Sequence, residues 1–532
     1  MPKKRQKKPK IKPARKKGKP VVLVILDGWG LGPRNMHGNA IAAGRTPFID
    51  GLYKKYPNTR LGACGKYAGL PNGQEGNSEA GHLNIGAGKI VKQDVSYISE
   101  SIKDGTFFKN TAFKEAIKHI NKYNKRLHLM GMLSNGDSGH ASPGHVYALL
   151  KLARQQNIER VFIHLFTDGR DSSRFAAIKL LSKLEEHFTG HEKIASVMGR
   201  FYAMDRNKVW RRTALAYGAI ACGRGVVAPD AKSAILWAYN RGESDEFIIP
   251  TLIRNNGGDL VASIQDNDAV FFFNLRSDRA RQLTKSFVQP NFEKQNHGTF
   301  CRQCAPKNTR FVAMTDFGPD LPHILTAFPG REVKNGLVEL ISQKGLRQLH
   351  MAESEKFAHI TYFLNGGYAE VVPGEERVRI ASPDVPRYDM APEMSSFKIA
   401  NRAVDAIKSK KYDFMAINFA APDMIGHTGN FQAAVKTVEV IDKCVHQIVK
   451  AALERDSTII VTADHGNIDE MVNVETGEII TEHSKNPVPF ILVDNGELKS
   501  KKLKPGALAN IAPTVLKIMG IPRHQDMAEP LF

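Results

Sequence analysis

An α/β fold with parallel sheets, in two or more domains, is predicted by three features of this 532-residue chain. Short apolar, β-branched runs alternate with longer amphipathic stretches, and 42% hydrophobic content over this length suffices for more than one core. Chemically active side chains stand directly after the runs rather than inside them.

The runs are VVLVIL, LHLMGML, VFIHLF, AVFFFNL, HITYFL, DFMAINFA, STIIVTA and VPFILV, all of strand length. Between them, AAIKLLSKLEEHF and FQAAVKTVEVIDKCVHQIVKAALE carry apolar residues at three- and four-residue spacing, the pattern of helices laid on a sheet. No internal repeat interrupts this rhythm.

The formal net charge of +21 is concentrated at one end. Residues 1–20 hold eleven Lys and Arg, four prolines and no acid, and without them the charge falls to +10. Such a segment repels itself and is expected to be a disordered basic tail. The following VVLVIL is too short for a signal peptide and runs into Asp27, and no run reaches transmembrane length. A cytoplasmic protein is expected. Five cysteines, an odd number, give no disulfide framework, and Cys301 and Cys304 read as loop cysteines of a reduced protein.

In an open parallel sheet, ligands bind beyond the carboxyl ends of the strands. Here VVLVIL ends in Asp27, DFMAINFA leads to Asp423 and His427, STIIVTA to Asp464 and His465, and His483 stands before VPFILV. One Asp at a strand end is an ordinary turn or cap. Three carboxylates on one rim would repel, and together with histidines they form the ligand set for zinc- or manganese-like cations. The stretch GQEGNSEAGH adds Ser78, in a setting that suits either a helix N-cap or a nucleophile. Two metals need about seven ligands, which Asp27, Ser78, Asp423, His427, Asp464, His465 and His483 supply.

The middle of the chain places other chemistry after its strands. LHLMGMLSNGDSGH delivers His140, VFIHLFTDGRD delivers Arg170 and Asp171, IASVMGRFYAMDR delivers Arg200 and Arg206, and FFFNLRSDR delivers Arg276 and Arg279. Guanidinium forks at repeated strand ends suit a multiply charged anion bearing carboxylate and phosphate.

These motifs, with LDGWG, GNSEAGH, AESEKFAH, PDMIGHTG, TADHGN and EHSKNPVP, resemble the cofactor-independent phosphoglycerate mutases in the family's order. The resemblance implies an alkaline-phosphatase-like parallel-sheet domain (21–94 and 329–532) with a second α/β transferase domain (95–328) inserted. It implies two Mn²⁺ or similar ions, one on Asp423, His427 and His483, the other on Asp27, Ser78, Asp464 and His465. It also implies Ser78 as the phosphorylated intermediate, Asp171 and Lys356 as its catalytic partners, and no need for 2,3-bisphosphoglycerate. His140, Arg170, Asp171, Arg200, Arg206, Arg276, Arg279 and Lys356 match the substrate positions. The expected partner is phosphoglycerate, with no membrane, no specific nucleic acid and a monomeric enzyme. A metal phosphatase, phosphodiesterase or phosphopentomutase would share the rim but not need the arginines in this order. A nucleic-acid-binding protein would rest on the tail alone, which supplies only non-specific, salt-sensitive affinity.

Overall fold

The computed structural model describes residues 18–136, 138–255, 257–318, 320–330 and 332–532. Most of the basic tail lies outside the described residues. The rest divides into two compact units, one formed by residues up to Gln93 together with those from 332 to Phe532, the other by Asp94–Gly330.

The first unit is built on an eight-stranded sheet in the order Glu375–Ile380, Gln348–Glu353, Phe414–Phe419, Val21–Leu26, Thr458–Thr462, Val488–Val493, Asn58–Gly62, Gly506–Ala507. The first five strands run parallel, so their carboxyl ends share one edge. Val488–Val493 runs antiparallel to Thr458–Thr462 and therefore brings its amino end to that edge. The central strands are buried along their whole length, which explains why they read as continuous rather than alternating apolar runs. Helix Phe431–Leu453 packs on Ser396–Lys408 and buries apolar residues that include Val438, Ile441, Val445 and Ile448.

Two glycines make close approaches possible. Gly28 turns the chain after Val21–Leu26 at φ 77°, and a Cβ there would lie 2.8 Å from Asp423 Cα. Gly86, on helix Ser78–Ala87, would set a Cβ 1.8 Å from the Leu364 carbonyl oxygen. Any larger residue would push the Ser78 helix away from the segment that follows Lys356.

That segment corrects one expectation. HITYFL is helical, with His359–Phe363 forming a π-turn after Ser354–Lys356. Ile360, Thr361 and Leu364 are buried while Tyr362 is exposed, the spacing of a helix face rather than of a strand. It packs against the Ser78 helix, and that contact outweighs the β-branched content.

The second unit has its own eight-stranded sheet, ordered Leu325–Phe328, Arg310–Thr315, Ala269–Phe272, Leu127–Met132, Val161–Thr167, Glu192–Gly199, Thr251–Ile253, Val226–Ala228. All neighbours are parallel except Glu192–Gly199 with Thr251–Ile253. A second expectation is corrected here: Cys222 and Cys304, 82 residues apart, are disulfide-bonded. Cysteine spacing could not reveal this, because the pairing arises where the end of one helix meets a distant loop. Among the described residues no helix is long and apolar enough to cross a membrane.

Candidate active site

In the first unit, four neighbouring parallel strands deliver Lys356, Asp423, Asp27 and the Asp464–His465 pair to one edge, and His483 arrives from the antiparallel strand. Ser78 is the first residue of helix Ser78–Ala87. The cap is Asn77, whose side chain accepts from the Ala80 N–H at 2.9 Å. The N-cap reading of Ser78 is thereby displaced by one residue, and its hydroxyl is left for other work.

Ser78 Oγ lies 2.8 Å from His465 Nε2 and 3.2 Å from Asp27 Oδ1, and it accepts from Lys356 Nζ at 2.6 Å. Lys356 also donates to Asp27 Oδ1 at 2.7 Å and to Asp423 Oδ2 at 2.6 Å. All of these groups are buried. Burial works against the Lys356 charge, but Asp27, Asp423 and Asp464 outweigh it and raise its pKa above the ordinary lysine range. Burial would raise Asp27, and Lys356 followed by His465 overcomes that and holds it below the usual carboxylate range. Burial likewise opposes charge on His465, yet Asp464 and Asp27 push it up to about 9. Three carboxylates face one ammonium and one imidazolium, which still leaves a deficit of positive charge.

The donor atoms fit metal ions. His427 Nδ1 faces the Thr481 carbonyl and His483 Nδ1 faces that of Gly76, both at 2.8 Å, so each ring spends its N–H there. Their Nε2 atoms, left with lone pairs, stand 3.1 Å apart, and Asp423 Oδ1 is 3.3 Å and 3.2 Å from them. Three electron-pair donors pointing at one another repel unless a cation sits among them. Asp464 Oδ2 is buried without a hydrogen bond. Among the described residues, three groups have ligand atoms close enough to share an ion: Asp423, His427 and His483; Asp27, Asp423 and His465; and Asp27, His82 and Asp464.

The second unit gathers its predicted residues around buried Arg200. That guanidinium is paired with Asp168 and lies 3.0 Å from Asp171. Asp171 accepts from Ser138 Oγ at 2.6 Å, and the same hydroxyl accepts from the His140 N–H at 3.1 Å. Burial would raise Asp171, but Arg200 and Ser138 hold it low and ionised. Arg206 meets Asp278 at 2.8 Å, and Arg279 donates to the Met204 carbonyl at 3.1 Å. Burial, then the charges of Arg200, Arg206 and Arg170, lowers Arg279 to about 10. Burial and the neighbouring Arg276 and Arg200 lower His140 to about 3, so it is neutral. This crowding of cations is what an anion would relieve. His145, by contrast, sits on helix Pro143–Gln155 with Nε2 3.0 Å from Ser99 Oγ.

Residues 19–523 match the family model of the metalloenzyme superfamily. The 2,3-bisphosphoglycerate-independent phosphoglycerate mutase of Acetivibrio thermocellus is 44% identical over 513 residues, covering 96% of this chain and 98% of that protein. Phosphoglycerate mutase 1 of the same 2,3-bisphosphoglycerate-independent kind, from Methanosarcina acetivorans, is 47% identical over 96% of this chain and 97% of its own length. This chain belongs to that mutase family. A crystal structure of Leishmania mexicana phosphoglycerate mutase, obtained at low cobalt concentration, superposes with a TM-score of 0.79 at 27% identity, covering 97% of both chains. Family and ligand groups agree on an enzyme that uses divalent metal.

In this member of the mutase family, sequence reasoning missed the residues that bond to the candidate ligands. Asn418 donates to Asp27 Oδ2 at 2.7 Å and lies 3.0 Å from His82 Nε2. His82 Nδ1 is 2.9 Å from the Ser78 carbonyl and 3.1 Å from Asp464 Oδ2. Asn467 donates to Asp423 Oδ1 at 3.0 Å. The available signal was Asn418 itself, a polar residue inside an otherwise apolar buried strand, which needs a partner. In the second unit the missed residues are Asp168 and Asp278, which orient Arg200 and Arg206.

Proposed function

We propose that the chain interconverts 3-phosphoglycerate and 2-phosphoglycerate through a phosphoserine at Ser78, with two divalent metals and without 2,3-bisphosphoglycerate. The observation that carries this reading is Ser78 Oγ, bonded by the Lys356 ammonium and set among Asp27, His465 and the first turn of a helix. Asp423, His427 and His483 would hold one ion, and Asp27, Asp464 and His465 with Ser78 the other; Mn²⁺ suits this mixed nitrogen and oxygen set. When bound, the ions supply positive charge that acidifies the serine hydroxyl and offsets charge on the phosphoryl group.

The chain's own residues do the rest. Lys356 donates a hydrogen bond to Ser78 Oγ as it attacks phosphorus and then to the phosphoryl oxygens. The bond from phosphorus to the glycerate 3-oxygen breaks, that oxygen ends with the proton the serine gives up, and the helix amino terminus favours the dianion once it rests on Ser78. The glycerate stays with His140, Arg170, Arg200, Arg206, Arg276 and Arg279, and turns to offer its 2-hydroxyl. Asp171, kept ionised by Arg200, takes that proton as the phosphoryl group returns. The reaction belongs to glycolysis and gluconeogenesis, and we infer a monomeric cytoplasmic enzyme.

The deciding assay follows 2-phosphoglycerate formation from 3-phosphoglycerate with Mn²⁺ and no added 2,3-bisphosphoglycerate; absence of product across several divalent metals would remove the reading. Chelation by EDTA is expected to inactivate the enzyme, with Mn²⁺ restoring it best. Elemental analysis should then count two ions per active chain, and full activity in protein verified as metal-free would contradict the ligand sets.

A further inference from the structure

Cys222 closes helix Trp210–Cys222, and Cys304 lies in the 296–309 segment before strand Arg310–Thr315. Their Cα atoms are 5.5 Å apart, within the span a disulfide bridges, and the two sulfurs are bonded. Neither residue is fully buried, and Cys301, three residues before Cys304, is an exposed free thiol. Cys301 also borders a cavity of about 300 Å³ whose lining includes Glu293, Lys294, His297 and Phe300.

The loop is anchored independently of the sulfur bond. Arg302 donates to Glu293 Oε1 from its backbone N–H at 3.0 Å and from Nε at 3.3 Å, and from Nη2 to the Pro290 carbonyl at 3.0 Å. The Phe300 ring rests 5.5 Å from Tyr217 and 5.2 Å from Phe292, and the Tyr217 hydroxyl donates to the Cys304 carbonyl. These contacts hold the loop beside helix Trp210–Cys222 in addition to the sulfur bond, so the bond is not the loop's sole anchor. A disulfide that only stapled the loop would have no use for an exposed third thiol and an adjoining cavity that carries the Lys294 ammonium.

We propose that Cys222 and Cys304 are a reversible thiol–disulfide site, oxidised by small disulfides of the glutathione class that react first at Cys301. The Cys301 thiolate attacks one sulfur of oxidised glutathione, the glutathione S–S bond breaks, and one glutathione leaves as thiolate and takes a proton. Cys304 then attacks Cys301 Sγ and releases the second glutathione. Cys222 in turn attacks Cys304 Sγ, returning Cys301 to the thiol. Two protein thiols are oxidised and one glutathione disulfide is reduced to two thiols, which closes the balance. Lys294 at the cavity matches a carboxylate group of that peptide. The inference is independent of the mutase reading.

The test uses the full-length protein equilibrated across ratios of reduced to oxidised glutathione, quenched by alkylation and mapped as unreduced peptides. Excess oxidised glutathione should give the Cys222–Cys304 cross-link, and excess reduced glutathione should return both cysteines to the alkylated form. Cys301→Ser should reach the same end state about tenfold more slowly. Trypsin cleavage after Lys307 should slow when the link closes. A link that persists in excess reduced glutathione, one that never forms, or wild-type rates in Cys301→Ser would each overturn the proposal.

Discussion

Ser78→Ala is expected to lower mutase turnover by on the order of 10⁴-fold or more, the scale on which a covalent nucleophile acts. The fold should survive. Asn77 still caps the helix through the Ala80 N–H, alanine is the best helix former, and Lys356 keeps its bonds to Asp27 and Asp423. Thermal unfolding should therefore stay close to wild type while activity vanishes. Peptide mass spectrometry of wild-type enzyme quenched with substrate should locate a phosphoryl group on Ser78, absent from the variant. Retention of a tenth of the wild-type rate by the alanine variant would assign the nucleophile elsewhere.

Arg279→Ala is expected to separate phosphoryl transfer from phosphoryl capture. Arg279 sits among Arg200, Arg206 and Arg170, and its removal takes a charged fork from the set that would hold glycerate. The loss of charge-assisted bonds worth about 3 kcal/mol corresponds to on the order of 10²-fold in mutase rate. With the acceptor poorly held, water takes the phosphoryl group, so phosphate release persists or rises. Asp464→Ala is expected to abolish both activities, because it deletes a buried carboxylate whose Oδ2 has no hydrogen bond to replace an ion. Phosphate and 2-phosphoglycerate are measured in parallel on both variants. A mutase rate within twofold of wild type in Arg279→Ala would refute the anion clamp.

Asn418 explains why part of the site was unreadable in the sequence. In FMAINF it looks like one polar residue in a buried strand, and only the arrival of Asp27 from the neighbouring strand and His82 from a distant helix gives it a task. The same holds for Arg200, which reads as one more guanidinium at a strand end. Its burial against Asp168 and Asp171 makes it the scaffold of the cluster as well as a member.

By itself the sequence determined seven of its eight apolar runs as strands, the helices between them, and the acids, histidines and arginines at strand ends. Those properties are local: apolar periodicity sets the element, and the residue after a strand stands at the sheet edge wherever that strand is placed. Tertiary structure alone decided that HITYFL coils against the Ser78 helix, that Asn77 rather than Ser78 caps that helix, and that Cys222 bonds Cys304. It also decided that Lys356 stands between Asp27 and Asp423. Each of these turns on which distant elements become neighbours, and that is fixed by the packing of whole sheets and helices, a quantity no short window of sequence contains.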